Sequence, residues 1–291
     1  GAADIGGVYY SFASTFTQLA DKEIDGYTFE TKTTAGSVAN LRLISDGYID
    51  LAIVQADLLS DAYNATGTFA DKKYQKGYKA IASLYTECCQ IVVRKDSGIT
   101  GIDDLINKTV SVGASESGSE KNAEQILKMS GITDELINKV NMDYTEAAEK
   151  LKAGEIDAFF CTAGTRTEVI GQLSKECDIC LISLDDKCID KMLSAYSLCE
   201  KYTIPAGTYN GQDSDVTTIG VKAVLIAKQS LSDDVIKNVT KTIYEHADDF
   251  KYATSLDISF DINTAADGVD IPFHSGAAAY YTERGINVLT E

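Results

Sequence analysis

The sequence predicts an α/β protein built from two lobes with mostly parallel sheets. Its 291 residues exceed the length at which one hydrophobic core usually keeps growing, so two lobes are expected. Short apolar strands alternate with helical patterns along the chain, which is typical of parallel sheets connected by helices. A helix, a glycine, an Ile-Asp pair and a buried strand follow one another twice, around Gly47–Asp50 and Gly154–Asp157. Because this pattern occurs only twice, two similar lobes explain it better than a tandem repeat.

The first part of the chain predicts two helices and two strands. A helix follows Gly7, and a short strand is predicted at 27–33. The second helix starts at Ser37, a residue type favoured as an N-cap. It stops at Gly47, because glycine readily adopts the left-handed conformation that follows a helix. The continuous apolar run at 49–55 is typical of a strand buried on both faces.

The rest of the chain continues this alternation and ends in a loop and a final helix after Ile271. Strands are predicted at 78–85, 89–94, 109–112, 140–144, 156–162 and 223–227, and helices at 102–106, 120–129, 145–154, 167–175 and 231–250.

Composition excludes several functional classes. Asp and Glu outnumber Lys and Arg by 44 to 26, which gives a net charge of −18 and argues against nucleic acid or anionic membranes as partners. No apolar run approaches the roughly 18 residues of a membrane-spanning helix. With two histidines and no metal-ligand spacing, neither a metal nor another cofactor is predicted. No signal peptide is recognised, so we expect either a trimmed, mature chain or a cytosolic one.

The seven cysteines do not form a dense disulfide framework. Buried free thiols are expected first and one disulfide second. Cys177 and Cys180 have the spacing of a redox pair, but they precede a predicted strand instead of opening a helix, so a redox role is disfavoured.

A turn rich in glycine and serine at 113–119 is the leading candidate for ligand binding. It connects a predicted strand to a predicted helix. The start of a helix offers unpaired N–H groups and the positive end of the helix dipole, so it can bind a carboxylate or phosphate without a cationic side chain. The alternative is an ordinary capped helix start, because serine is a preferred N-cap.

Several motifs occur in a characteristic order along nearly the whole chain. They are Ala35–Leu43, Gln55–Asp57, Leu84–Glu87 followed by Ile91–Arg94, Val112–Ser119, Asp157–Gly164, Ile204–Asp213 and Pro272–Ala277. As an ordered set they resemble the solute receptors of tripartite ATP-independent periplasmic (TRAP) transporters, specifically those of the TAXI type.

The resemblance implies a type II periplasmic-binding-protein fold with a ligand cleft between its lobes. The first lobe is predicted at 1–88 and 217–291, and the second at 89–216. Such a receptor is a monomer that is periplasmic or lipid-anchored at the outer face of the cell membrane. It is not an enzyme. It captures a small amino acid or carboxylate, with glutamate- and glutamine-like ligands known in the family, and delivers it to a TRAP-type membrane permease.

Candidate ligand-binding residues come from both predicted lobes. They are Tyr9, Tyr10, Ser37, Asn40, Gln55, Ser115, Ser117, Gly118, Ser119, Gly164, Arg166 and Tyr209. Several have structural alternatives: a core position for one of the two tyrosines, a helix cap for Ser37, a cleft-wall role for Gln55 and a surface salt bridge for Arg166. Asp4 and Glu116 are alternative partners for an ammonium group or solvated surface acids, and His246 and His274 are expected to be structural.

The chain departs from the family at a few places. The strand that opens the family fold is missing before Gly1, which suggests trimming after a leader or anchor. Differences at 86–88 and at Arg166 lie near the expected cleft, so they concern the identity of the ligand more than the fold.

Two other functions stay open. A ligand-sensing module of a signalling receptor uses the same kind of scaffold, and the neighbouring genes would separate it from a transport receptor. An enzyme on a similar two-lobed scaffold is less favoured, since no nucleophile, phosphate-loop or metal motif is recognised.

Overall fold

The computed structural model describes residues 1–71, 76–254 and 260–291. The chain forms two compact units. Unit 1 contains Gly1–Tyr85 and Lys222–Glu291, and unit 2 contains Thr86–Val221. The chain therefore leaves unit 1 once and returns to it once. Among the described residues, no helix is long and apolar enough to span a bilayer.

Strands and helices alternate along most of the chain. The first half contains α1 Val8–Glu23, α2 Ser37–Ser45, β1 Leu51–Gln55, α3 Ala56–Asn64, β2 Tyr78–Arg94, β3 Thr109–Ser111, α4 Gly118–Met129, β4 Asn138–Val140 and α5 Tyr144–Ala153. The second half contains β5 Ala158–Ala163, α6 Glu168–Glu176, β6 Ile179–Leu181, α7 Asp186–Ala195, β7 Cys199–Ile204, β8 Val216–Lys228, α8 Asp233–Glu245, α9 Ala247–Thr254 and α10 Ser275–Thr282. Short 3-10 turns lie at Gly67–Phe69, Ile102–Leu105 and Ile262–Thr264.

The predicted mixed α/β class is confirmed. In unit 1, β1 pairs antiparallel with the end of β8, so that Leu51 lies opposite Ala227. In unit 2 the strand order is β4-β3-β5-β2-β6, with β3 parallel to both β4 and β5 and β2 antiparallel to β5 and β6. Since β3 and β5 are parallel neighbours, the turns that follow them leave the sheet at the same edge.

The pattern that occurs twice in the sequence has the same structural role in both units. Gly47 and Gly154 follow α2 and α5 in the left-handed region, with φ of 86° and 75°. Asp50 then accepts a hydrogen bond from Lys228 Nζ at 2.8 Å, and Asp157 accepts one from Thr109 N at 2.8 Å. In each unit the aspartate therefore fixes the start of a strand to the neighbouring strand.

Several predicted elements differ from the structure. The helix predicted at 102–106 is a 3-10 turn, and the strand predicted at 140–144 ends at Val140. Residues 27–33 do not form a strand, because among the described residues the one backbone–backbone hydrogen bond of this segment is that from Ala2 N to Lys32 O. The strands predicted at 78–85 and 89–94 are one continuous strand, β2, because Thr86, Glu87 and Cys88 between them continue the extended backbone. The helix predicted at 231–250 is broken at His246. The ring of His246 lies within hydrogen-bond distance of Glu23 in α1 and of Asp249 in α9.

Each unit has its own apolar interior. In unit 1, Phe12 stacks on Phe250 with ring centroids 4.4 Å apart. In unit 2, Ala123, Ile126 and Leu127 form the buried face of α4, as their helical spacing predicts. All seven cysteines are free thiols; five are buried and Cys177 and Cys180 are partly exposed.

Candidate functional site

The turn before α4 is a capped helix start. Gly113 has a φ of 101°, and a Cβ atom there would lie 2.8 Å from the Cβ of Ser119, so the turn requires glycine. Ser117 is the N-cap, and its Oγ accepts a hydrogen bond from Glu120 N at 3.0 Å. The side-chain carboxylate of Glu120 in turn accepts a hydrogen bond from Glu116 N at 3.0 Å. The hydroxyl of Ser117 is therefore used within the turn.

Ser119 is buried, and its hydroxyl joins α4 to β5. Its Oγ accepts a hydrogen bond from Thr162 N at 2.8 Å and lies 2.7 Å from Tyr144 OH. Because Tyr144 OH donates to Thr162 O at 2.9 Å, Ser119 is the donor to Tyr144. Ser115, by contrast, is exposed, and Gly118 is the first residue of α4.

The second turn of unit 2 leads from β5 into α6 and is held by a buried ring of hydrogen bonds. Tyr209 OH donates to Gln90 Oε1 at 2.6 Å and accepts from Thr167 N at 3.0 Å. Gln90 Nε2 donates to Thr167 Oγ1 at 3.0 Å, and Thr167 Oγ1 donates to Gly164 O at 2.7 Å. Burial raises the pKa of Tyr209 well above its usual range, so this side chain stays neutral and holds the turn.

Arg166 is at the outer point of the same turn. Its φ is 66°, a conformation that is uncommon for residues other than glycine. The side chain is exposed, and its guanidinium has no ion-pair partner within 1–71, 76–254 and 260–291. Arg166 is therefore a candidate for binding a ligand's carboxylate.

The turn before α2 in unit 1 differs from the prediction at Ser37. Gly36 is the N-cap, with a φ of 124°, and Ser37 is the first helical residue. The Oγ of Ser37 accepts a hydrogen bond from Gln55 N at 3.1 Å. Ser37 thus joins α2 to the end of β1, and the first turn of α2 has no side-chain cap.

Asn40 is fully buried and fully hydrogen-bonded. Its Nδ2 donates to Ala2 O at 2.6 Å and to Ile53 O at 2.9 Å. Its Oδ1 accepts from Thr34 Oγ1 at 2.7 Å. These bonds connect the start of the chain, α2 and β1.

Gln55 has a buried acceptor that the described part of the chain does not pair. The residue is 1% exposed, and its Oε1 has no hydrogen-bond partner there. It is the last residue of β1 and precedes α3, whose first turn also lacks a side-chain cap. Since an unpaired buried acceptor is costly, this oxygen is a candidate for a ligand's N–H group.

The two tyrosines at the start of α1 have different environments. Tyr9 is buried in unit 1 and Tyr10 is partly exposed. This agrees with the prediction that one of them belongs to the core.

Sequence reasoning missed Gln90, Thr167 and Tyr144. Tyr209 and Gln90 are 119 positions apart, and no local spacing signals such a pair. A polar residue inside an apolar strand, as Gln90 is in β2, was the one available indication that a buried partner exists.

Both histidines contact other parts of unit 1. His246 Nε2 lies 2.5 Å from Glu23 Oε1, and its Nδ1 lies 2.9 Å from Asp249 Oδ2. His274 is buried, and its Nδ1 accepts from Gly276 N at the start of α10. No group of three or more potential metal ligands occurs in the described part of the chain.

Comparison with known proteins identifies a family and a fold. The NMT1-like family matches residues 1–285. A protein of Bordetella bronchiseptica RB50 superimposes with a TM-score of 0.56 at 18% identity, covering 87% of this chain and 74% of that one. A periplasmic transporter superimposes with a TM-score of 0.54 at 12% identity, covering 85% and 82% of the two chains. An ancestral arginine-binding protein, bound to arginine, gives 0.50 at 16% identity, covering 84% and 86%. The chain therefore has the fold of periplasmic solute-binding proteins.

Proposed function

The chain belongs to the NMT1-like family, and we propose that it is an extracytoplasmic solute receptor of the TAXI type that delivers its ligand to a TRAP-type permease. Family membership and the shared fold support a receptor. The ordered motifs of the sequence, from Ala35–Leu43 to Pro272–Ala277, favour the TAXI type. A net charge of −18 is compatible with a small-molecule ligand and not with a polyanion.

The proposed ligand is a small amino acid of the glutamate or glutamine class. The observation that carries this proposal is the buried Oε1 of Gln55, which has no hydrogen-bond partner among residues 1–71, 76–254 and 260–291. An amide oxygen only accepts hydrogen bonds, so its ligand partner must be a donor such as an ammonium or an amide N–H. The turn at Ser37 fixes the position of Gln55 by bonding its backbone.

The proposed carboxylate contacts are backbone N–H groups and Arg166. The first residues of α4, beginning at Gly118, offer N–H groups at a helix N-terminus. The turn at Gly164, which precedes α6, offers further backbone N–H groups. Because Ser117 and Ser119 already use their hydroxyls within unit 2, their proposed contribution is to shape the turn that presents Ser115 and these N–H groups. In the same way, Tyr209 is proposed to hold the turn that presents Arg166. Tyr10 at the start of α1 is a further candidate for ligand contact.

Calorimetry on purified protein tests the ligand class. After native mass spectrometry has identified any co-purified molecule, the protein is titrated with glutamate, glutamine, arginine and succinate. An amino acid should bind and succinate should not, because succinate offers Gln55 no N–H donor. Binding of succinate alone would contradict the proposal.

Two substitutions at one position separate the side chain from the backbone. Arg166→Ala and Arg166→Gly both remove the guanidinium, but glycine also relieves the left-handed conformation. Both should weaken binding of a carboxylate about tenfold, the value of one charge-assisted hydrogen bond. If only the alanine variant bound weakly, the turn conformation and not the guanidinium would matter.

A further inference from the structure

The start of α4 contains an anion of its own. Glu120 lies in the first turn of the helix. Its Oε2 accepts a hydrogen bond from Glu116 N at 3.0 Å, and its Oε1 accepts one from Asn141 Nδ2 at 2.8 Å. Asn141 Nδ2 also donates to Gly113 O at 2.9 Å. The side chain of Glu120 is 12% exposed. A carboxylate is therefore held by two donors at the positive end of this helix.

These bonds limit the amide groups that α4 offers to a ligand. The N–H of Glu116 is bonded to Glu120, and the N–H of Glu120 is bonded to Ser117 Oγ. The N–H groups of Gly118 and Ser119, the first two residues of the helix, have no intrahelical acceptor. A ligand oxygen bound at these two amides therefore lies within one helical turn of the Glu120 carboxylate.

The positive charges near Glu120 are shared with another acid. Lys121 Nζ lies 3.9 Å from Glu120 Oε2 but only 2.8 Å from Glu124 Oε2. Lys139 Nζ is paired with Glu124 at 3.4 Å. Glu116 adds a further negative charge to the turn. Since like charges at short separation repel, a neutral acceptor is favoured over a second carboxylate at this turn.

The turn that contains Arg166 begins beside α4. Ser119 Oγ accepts a hydrogen bond from Thr162 N at 2.8 Å, and Thr162 lies near the end of β5, shortly before Arg166. The strands that precede the two turns, β3 and β5, are parallel neighbours, and neighbouring strands lie about 4.8 Å apart. One small molecule can therefore contact both turns of unit 2.

We propose that Glu120 is a specificity-determining residue of the proposed receptor site and makes the start of α4 bind an uncharged oxygen in preference to a carboxylate. This inference rests on the proposed function. The ligand's carboxylate binds at Arg166, whose guanidinium matches it. The carbonyl of a neutral side-chain amide binds at the N–H groups of Gly118 and Ser119. Amino acids with an amide side chain are therefore preferred over their acidic counterparts.

Calorimetry with glutamine and glutamate tests the proposal. The wild-type protein should bind glutamine about tenfold or more tightly than glutamate. Glu120→Gln removes the charge and should reduce this ratio at least about threefold by strengthening the binding of glutamate. If Glu120 only supported the turn, its substitution would weaken both ligands alike and leave the ratio unchanged.

Two matched controls separate charge from turn structure. Asn141→Ala removes a bond from the same turn without changing the charge, so it should leave the ratio as in wild type. Glu124→Gln removes an equal charge one turn further along α4, so it should change the ratio less than Glu120→Gln. Thermal unfolding of each variant establishes that it is folded at the temperature of the titration.

A wild-type preference for glutamate, or an unchanged ratio in the folded Glu120→Gln variant, would overturn the proposal and leave the receptor function in place. An equal change in Glu124→Gln would assign the effect to net charge and overturn it as well. If no amino acid bound the wild-type protein, the proposed function would fail and this inference with it. The wild-type preference alone decides the outcome if Glu120→Gln does not fold.

Discussion

Two turns of this protein have similar sequences but use their serines differently. In unit 1, Gly36 precedes α2 and Ser37 is the first residue of the helix, where its Oγ accepts a hydrogen bond from Gln55 N of the neighbouring strand. In unit 2, glycine and serine precede α4, and Ser117 caps its own helix through Glu120 N. The first turn is left without a side-chain cap and the second is closed. A Gly-Ser turn before a helix therefore does not reveal whether its hydroxyl is free to bind a ligand.

The buried amides near the first turn extend this comparison. Asn40 satisfies donors and acceptor within unit 1, whereas Oε1 of Gln55 is unpaired in the described part of the chain. Both are buried, so burial alone does not separate a structural amide from a candidate ligand contact. The following predictions test this distinction, from the largest expected effect to the smallest.

Asn40→Leu should lower the free energy of unfolding by about 3 kcal/mol, because it leaves several buried polar groups without partners. Chemical denaturation measures this loss. Thr34→Val, which removes one of these bonds, is the matched smaller change and should cost less. Wild-type stability of the Asn40 variant would show that its hydrogen bonds are not needed.

Gln55→Leu should leave the free energy of unfolding within about 0.5 kcal/mol of wild type, since it removes a buried acceptor that has no partner. The same substitution should weaken amino-acid binding about tenfold or more, because the ligand's donor then lacks an acceptor. Denaturation and calorimetry on one variant give both numbers. A large loss of stability with unchanged affinity would reverse the roles assigned to Gln55 and Asn40.

In unit 2, Ser119→Ala should cost about 2 kcal/mol of stability and Ser117→Ala about 1 kcal/mol, the usual value of a lost N-cap. At temperatures where both variants are folded, calorimetry should find ligand affinity within about threefold of wild type. A tenfold weaker affinity in either variant would instead indicate that the hydroxyl contacts the ligand directly.

The smallest effect concerns pH, and it belongs to unit 1, which contains both histidines. Hydrogen bonds with Asp249 and Glu23 raise the pKa of His246. Partial burial acts to raise the pKa of Glu23, but bonds from His246 and Thr242 outweigh it and lower that pKa. The histidine's contribution is therefore complete below about pH 6.5 and is lost as pH rises through its raised pKa. The glutamate's contribution is lost as pH falls through its lowered pKa.

Denaturation at several pH values should show this part of the stability falling as pH rises above about 6.5, by less than about 1 kcal/mol because the groups are partly solvated. His246→Gln should remove most of the decline. His274→Gln is not a clean control, because His274 is buried and caps α10. An unchanged pH profile in the His246 variant would show that the bonds to Glu23 and Asp249 are energetically unimportant.

The sequence by itself determined the features that depend on neighbouring residues. Gly47 and Gly154 stop their helices because only a few residue types tolerate the left-handed conformation. The spacing of Ala123, Ile126 and Leu127 fixed the buried face of α4 through helical periodicity alone. The Ser117 cap was one of the two alternatives that local sequence allowed.

Tertiary structure decided which polar groups are already paired. Tyr209 meets Gln90 across 119 positions, and Ser119 meets Thr162 across 43. Tertiary contacts also decide why residues 27–33 do not form a strand and why the predicted helix breaks at His246. Local propensity cannot encode these pairs, because a buried donor's partner is set by how strands and helices pack and not by its neighbours in sequence. The same physics separates Gln55, whose Oε1 has no partner in the described part of the chain, from Asn40, whose side-chain groups are hydrogen-bonded there.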